Sequence, residues 1–125
     1  HTSNYELLDI QFITKQYGYV LAKIPNEQSY FLLKTFDYGE SFQETAIPNG
    51  SDLRKIFFTS NNVGFALGNH ILKTDDNGSG WTELNLDLNI WKDIIEKSNG
   101  ELYVCGLNGT FKKVQKLAII GNKLI

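Results

Sequence analysis

The run Asp75-Asp76-Asn77-Gly78 sets three oxygen-bearing side chains beside a glycine, the kind of donor set a calcium ion takes. The spacing and terminal glutamate of an EF-hand are absent, and the same residues fit a tight turn. His1 and His70 are too few for a histidine-rich metal site, so neither a metal nor a cofactor is expected. Cys105 is alone, which excludes an intrachain disulfide. Its alignment with Leu21 and Leu67, described below, predicts a buried, inert thiol. No serine sits in a nucleophile elbow and no glycine-rich loop follows a phosphate-cradling pattern. No catalytic residue is assigned, and the chain is expected not to be an enzyme.

The turn chemistry is repeated. Thr35-Phe-Asp37-Tyr-Gly39-Glu-Ser41-Phe42 and Thr74-Asp-Asp76-Asn-Gly78-Ser-Gly80-Trp81 share the pattern Thr-x-Asp-x-Gly-x-small-aromatic, with Asp37 and Asp76 separated by 39 residues. A hairpin turn leaves backbone N–H groups that need acceptors, and an aspartate in the turn supplies them. Gly39 and Gly78 provide positive φ. Phe42 and Trp81 open the next strand with a ring that packs beneath the turn, while Thr35 and Thr74 close the strand before it. The expected role of all eight residues is structural.

A second element lies upstream of each turn. Ile10-Gln-Phe12 with Gly18-Tyr-Val-Leu-Ala22 aligns with Ile56-Phe-Phe58 and Gly64-Phe-Ala-Leu-Gly68, then with Ile94-Ile95 and Gly100-Glu-Leu-Tyr-Val-Cys-Gly106. These β-branched and aromatic runs, bounded by Gly, Asn and Ser, predict short strands. Periods of this size mark stacked or radial repeats. The repeats span about 5–46, 52–85 and 90–121 of one domain. The first gives strands near 7–13, 19–23, 29–35 and 42–45, and the second near 53–59, 64–68, 71–74 and 81–84. The third gives 91–95, 102–106, 110–114 and 117–120, without a recognisable turn, since Lys112-Lys-Val-Gln stands where the second has Lys73-Thr-Asp-Asp. No helical period of useful length occurs.

The eight-residue pattern resembles the Asp box of bacterial-neuraminidase-type repeats, which mark β-propeller blades. The resemblance implies an all-β propeller segment of about three four-stranded antiparallel blades. Val63-Gly-Phe-Ala-Leu-Gly68 followed by Leu72-Lys-Thr-Asp-Asp-Asn-Gly-Ser-Gly-Trp81 is most similar to repeats of the photosystem II stability and assembly factor type. Those factors are noncatalytic and bind proteins through an arginine-rich face. A neuraminidase of this class needs three arginines to clamp its substrate carboxylate, because planar bidentate recognition favours that side chain. Arg54 is the single arginine here, which argues against both a sialidase site and a photosynthetic role.

What the resemblance leaves is a recognition scaffold, with a protein as the expected partner. A carbohydrate-binding or glycoside-hydrolase-related propeller, or a piece of a larger propeller enzyme, is the alternative. In propellers the loops joining a blade's second and third strands, and those joining successive blades, gather on one face. They correspond to Lys23–Gln28, Ile47–Asp52, Asn69–His70, Asn85–Ile90 and Leu107–Gly109. Asn69 and His70 lie in these loops, Arg54, Lys55, Trp91 and Lys92 lie at the starts of the first strands close to the same rim, and these six are the candidate ligand-binding residues. Aromatics and arginine dominate binding hot spots. Trp91 has a competing role as a filler of the seam between blades.

The composition fits a globular domain: 42% hydrophobic and 21% charged residues among 125, with a formal net charge of −2. That balance lacks the basic field needed for nonspecific nucleic-acid binding, and no apolar run reaches the length of a membrane span. Asp-box propellers are often exported, so the resemblance implies a periplasmic or extracellular location. Rings close with four to eight blades. Three blades in a complete chain would therefore call for a homodimer, joining three and three into six.

Overall fold

The computed structural model describes residues 4–48, 50, 52–59, 62–84, 90–114, 119–120 and 123–124. The chain is all-β, with one 3₁₀ turn, Leu107–Gly109, among the described residues. The first sheet takes β1 (Glu6–Phe12), β2 (Gly18–Lys23), β3 (Tyr30–Thr35) and β4 (Gln43–Ile47) in chain order. The second takes β5 (Lys55–Phe58), β6 (Gly64–Leu67), β7 (Ile71–Thr74) and β8 (Thr82–Glu83) in the same order. β9 (Trp91–Glu96), β10 (Leu102–Gly106) and β11 (Phe111–Val114) form a third, three-stranded sheet. All these pairings are antiparallel.

The expected fourth strand of the third repeat, 117–120, is described only in part. Of 117–120, residues 117 and 118 lie outside the described residues. Ile119–Ile120, β12, pairs with Lys123–Leu124, β13, in a ribbon of two strands. In the first two repeats the threonine–aspartate turn brings the fourth strand back beside the third.

The sheets pack face to face, and alternation along each strand assigns side chains to the two faces. One core joins Tyr19, Leu21, Tyr30 and Leu32 of the first sheet to Ile56, Phe58, Ala66 and Leu72 of the second. A second core joins Phe65, Leu67 and Ile71 of the second sheet to Trp91, Ile94, Leu102 and Val104 of the third. Both faces of the middle sheet are therefore covered, which explains the unbroken burial of Gly64–Leu67. Tyr19 stacks on Phe58 across the first seam, with ring centroids 3.8 Å apart. The Phe58 ring also lies over Gly64, where a Cβ would come within 2.4 Å of it, so the glycine is needed for this close approach.

Cys105 corrects an expectation. It occupies the β10 position that Leu21 holds in β2 and Leu67 in β6, yet it is exposed while both leucines are completely buried. Its side chain lies on the third sheet's outer face, against which no described sheet packs.

Candidate functional site

The two repeated turns share one bonding scheme. Thr35 Oγ1 donates to Asp37 Oδ1 at 2.8 Å and accepts from Gly39 N–H, while Asp37 Oδ1 accepts from Ser41 N–H. Thr74, Asp76, Gly78 and Gly80 reproduce it. Both threonines are buried, and Trp81 covers the second turn from below, its indole N–H donating to Gly78 O. Bonds from Ser41 hold the Asp37 carboxyl below its usual range, and the Gly80 N–H does the same for Asp76. In each pattern the threonine hydroxyl and the aspartate Oδ1 are engaged within their own turn.

At the opposite end, three loops from two sheets meet in one hydrogen-bonded network. Gln28, after β2, accepts from Tyr30 O–H and from Asp52 N–H through Oε1, and returns a bond from Nε2 to Asp52 Oδ1. Asn69, between β6 and β7, donates to Asp52 Oδ2 at 3.0 Å. Asp52 sits at φ 50°, a left-handed conformation that aspartate tolerates better than most residues. Burial, and secondarily the Asp52 charge, push the Tyr30 phenol up. Beside this network is an open cleft of about 200 Å³ lined by Glu6, Leu8, Lys23, Tyr30, Asp52, Leu53 and Arg54.

The sequence-derived candidates separate in this geometry. Arg54 is exposed on the cleft and Asn69 belongs to the network beside it. Lys55 spans the second seam to Asp93, 3.4 Å away, and His70 pairs with Glu83 at 2.8 Å. Lys92 is exposed on β9. Trp91 is 1% exposed within the core between the second and third sheets. That places its ring in the seam and removes it from the accessible rim. Of the mapped loops, residues 49, 51 and 85–89 lie outside the described residues. Gln28, Tyr30, Glu6, Lys23 and Asp52 were not singled out from the sequence. Loop mapping reached the Lys23–Gln28 and Ile47–Asp52 segments, but nothing in their composition shows that they bond to one another.

Among the described residues no group of three or more His, Cys, Asp or Glu side chains is arranged to hold a metal ion. Among the described residues no helix is long and apolar enough to cross a membrane.

No protein-family model matches the chain, and no curated protein matches it either. Solved structures do. A structure described as YCF48 bound to D1 peptide superposes with a TM-score of 0.70 at 22% identity, covering 98% of this chain and 40% of that one. YCF48 from Cyanidioschyzon merolae gives 0.57 at 18% identity, covering 90% of this chain and 38% of that one. The chain thus spans about two-fifths of the length of these structures. The likeness shows the fold, a β-propeller segment whose sheets are its blades.

Proposed function

We propose that this propeller segment is a noncatalytic recognition scaffold that binds a polypeptide segment on its loop face, at the cleft beside the Gln28–Asp52–Asn69 network. The observation that carries the reading is the exposed Arg54 guanidinium on that cleft, flanked by the carboxylates of Glu6 and Asp52 and the ammonium of Lys23. Mixed charge suits the amides and side chains of a peptide. The surrounding loops are held by bonds between blades, so little ordering is needed on binding. A structural relative described as bound to a peptide supports the same class of partner. A peptide suits this cleft better than a sugar that stacks on an aromatic ring, because Tyr30, which lines it, is only 2% exposed.

Binding of an overlapping peptide library, run beside a glycan array, tests this reading. Peptide binding is expected, with Arg54→Ala weakening it by about tenfold or more, the scale of a hot-spot residue. Tyr38→Ala and Glu40→Ala, at the opposite end, should leave it unchanged. Equal losses at both ends, or glycan binding without peptide binding, would reject the proposal.

A further inference from the structure

The dipeptide Asn-Gly occurs four times in this chain, and the copies at 77–78 and 99–100 sit in opposite surroundings. Asparagine is a thermolabile residue, and before glycine it loses its side-chain amide to its own backbone. The glycine nitrogen gives up its proton to water and attacks the asparagine Cγ. Ammonia leaves, a five-membered succinimide forms, and water reopens it to aspartate or isoaspartate. Glycine favours the attack because no Cβ crowds the nitrogen. The rate then depends on how the fold presents Cγ to that nitrogen.

At Asn99 the fold sets the two groups together. Residues 97–100 form the turn between β9 and β10, in which the Gly100 N–H donates to Lys97 O at 2.9 Å. Asn99 is exposed, and its Oδ1 accepts from Glu101 N–H at 3.0 Å. That bond folds the side chain back over the Gly100 peptide, bringing Cγ toward the nitrogen and polarising its carbonyl. Gly100 has φ 87°, and a Cβ there would meet nothing within 4 Å, so the turn has room to close the ring.

Asn77 belongs to the same dipeptide and has the reverse geometry. Its Oδ1 accepts from the Tyr19 hydroxyl of the first blade, which draws the amide across the seam. Lys34 Nζ, also of the first blade, donates to its backbone carbonyl at 3.0 Å. The Gly78 N–H is buried against Thr74 Oγ1, 2.9 Å away, and is shielded from solvent base. Leu32 fills the space beside Gly78, where a Cβ would come within 2.3 Å of it.

The exposed pair also adjoins a charged cluster. Glu101 accepts from Asn99 Nδ2 at 3.1 Å and from Tyr103 O–H at 3.3 Å, and it pairs with Lys113 at 2.7 Å and Lys97 at 3.8 Å. These bonds tie the β9–β10 turn to β11, in the repeat whose sequence lacks the threonine–aspartate turn. Deamidation exchanges the Asn99 donor for a second carboxylate facing Glu101.

We propose that Asn99 is a site of spontaneous deamidation driven by the Gly100 backbone nitrogen, that the first seam protects Asn77 from the same reaction, and that the product weakens the Glu101 cluster. Water is the co-reactant and ammonia the leaving group.

Incubation of the whole chain in mildly alkaline buffer, followed by proteolysis and mass spectrometry, tests the proposal. The peptide holding Asn99 should gain the mass of an amide-to-acid exchange, in aspartyl and isoaspartyl forms. It should convert at least about tenfold faster than the peptide holding Asn77, which reacts only through local opening of the seam. In urea, with the seam gone, the two should convert at similar rates. Asn99→Gln, whose longer side chain does not close the five-membered ring, should abolish conversion at that position. Asn99→Asp reproduces the aspartyl product and should melt about 2–5 °C below the wild type. In a Glu101→Gln background, which removes the second carboxylate, the same substitution should cost little. Equal rates at 77 and 99 in the folded chain, or no conversion at 99 over a period that converts it in urea, overturns the site. No loss from Asn99→Asp, or the same loss in the Glu101→Gln background, overturns the effect on the cluster.

Discussion

Thr74 Oγ1 donates a 2.8 Å hydrogen bond to Asp76 Oδ1, and Thr35 makes the same bond to Asp37 at the same distance. In each turn the threonine oxygen also accepts from a glycine N–H, at 2.9 Å in both. The threonine is therefore the buried hub, with the aspartate outside it. Thr74→Ala should lower stability by about 1–3 kcal/mol, because it leaves the buried Gly78 N–H without its acceptor. Thr74→Ser, which keeps the hydroxyl, should recover most of that loss. Urea unfolding of the three proteins decides the point, and equal losses for both variants would show that the methyl group matters rather than the oxygen.

Gly78 and Gly109 both have positive φ, at 93° and 72°, but their surroundings differ. A Cβ on Gly78 would lie 2.3 Å from Leu32 Cδ2 across the seam, while one on Gly109 would meet nothing within 4 Å. Leu32 is completely buried and has no room to withdraw freely. Gly109→Ala should cost only the backbone strain, about 1 kcal/mol. Gly78→Ala should cost more, by an overpacking penalty of about 1–3 kcal/mol. Thermal melts showing the same loss for both would remove the packing argument.

Acid should weaken the fold in a defined range. The carboxyls of Asp37 and Asp76 are held below their usual range by hydrogen bonds, and Glu101 is held at about 2, chiefly by the hydrogen bond from Lys113. A carboxyl depressed in the folded chain adds stability that is complete above its unfolded pKa, about 4. That contribution is lost as pH falls through the folded value. Melting temperature should thus be flat from these groups above about pH 5 and fall between about pH 4 and 2. The doubly substituted Asp37→Asn, Asp76→Asn protein should start lower and show a shallower fall. An identical acid slope would mean that the turns do not contribute to it.

Strand order and the two turns were legible because they depend on local chemistry: glycines where φ is positive, aspartates where N–H groups need acceptors, and apolar runs between. Contacts between blades were not. Cys105 aligns with two buried leucines, and its exposure depends on which sheet covers that face, a fact that alternation along β10 does not contain. The cleft was legible as a location only. Arg54 could be assigned to the loop face, but the Gln28–Asp52 bonds join residues 24 apart whose partnership leaves no mark on either segment.

Trp91 shows the same limit most sharply. Simple alternation puts residues three apart on opposite faces of a strand, yet Trp91 and Ile94 are both buried in the second seam. The register shift in β9 reconciles them, since Trp91 pairs with Gly106 and Asp93 with Cys105, leaving Lys92 as the extra residue. The bulge turns the indole inward and leaves Lys92 and Asp93 exposed, the latter within reach of Lys55. Trp91→Ala should therefore act through stability, lowering it by about 3–5 kcal/mol as expected for removal of a fully buried ring. Trp91→Phe should recover part of that loss. Peptide affinity, measured on the fraction that remains folded, should stay close to that of the wild type, in contrast to Arg54→Ala. A Trp91→Ala protein of full stability that had lost binding would return this residue to the recognition face and place the seam elsewhere.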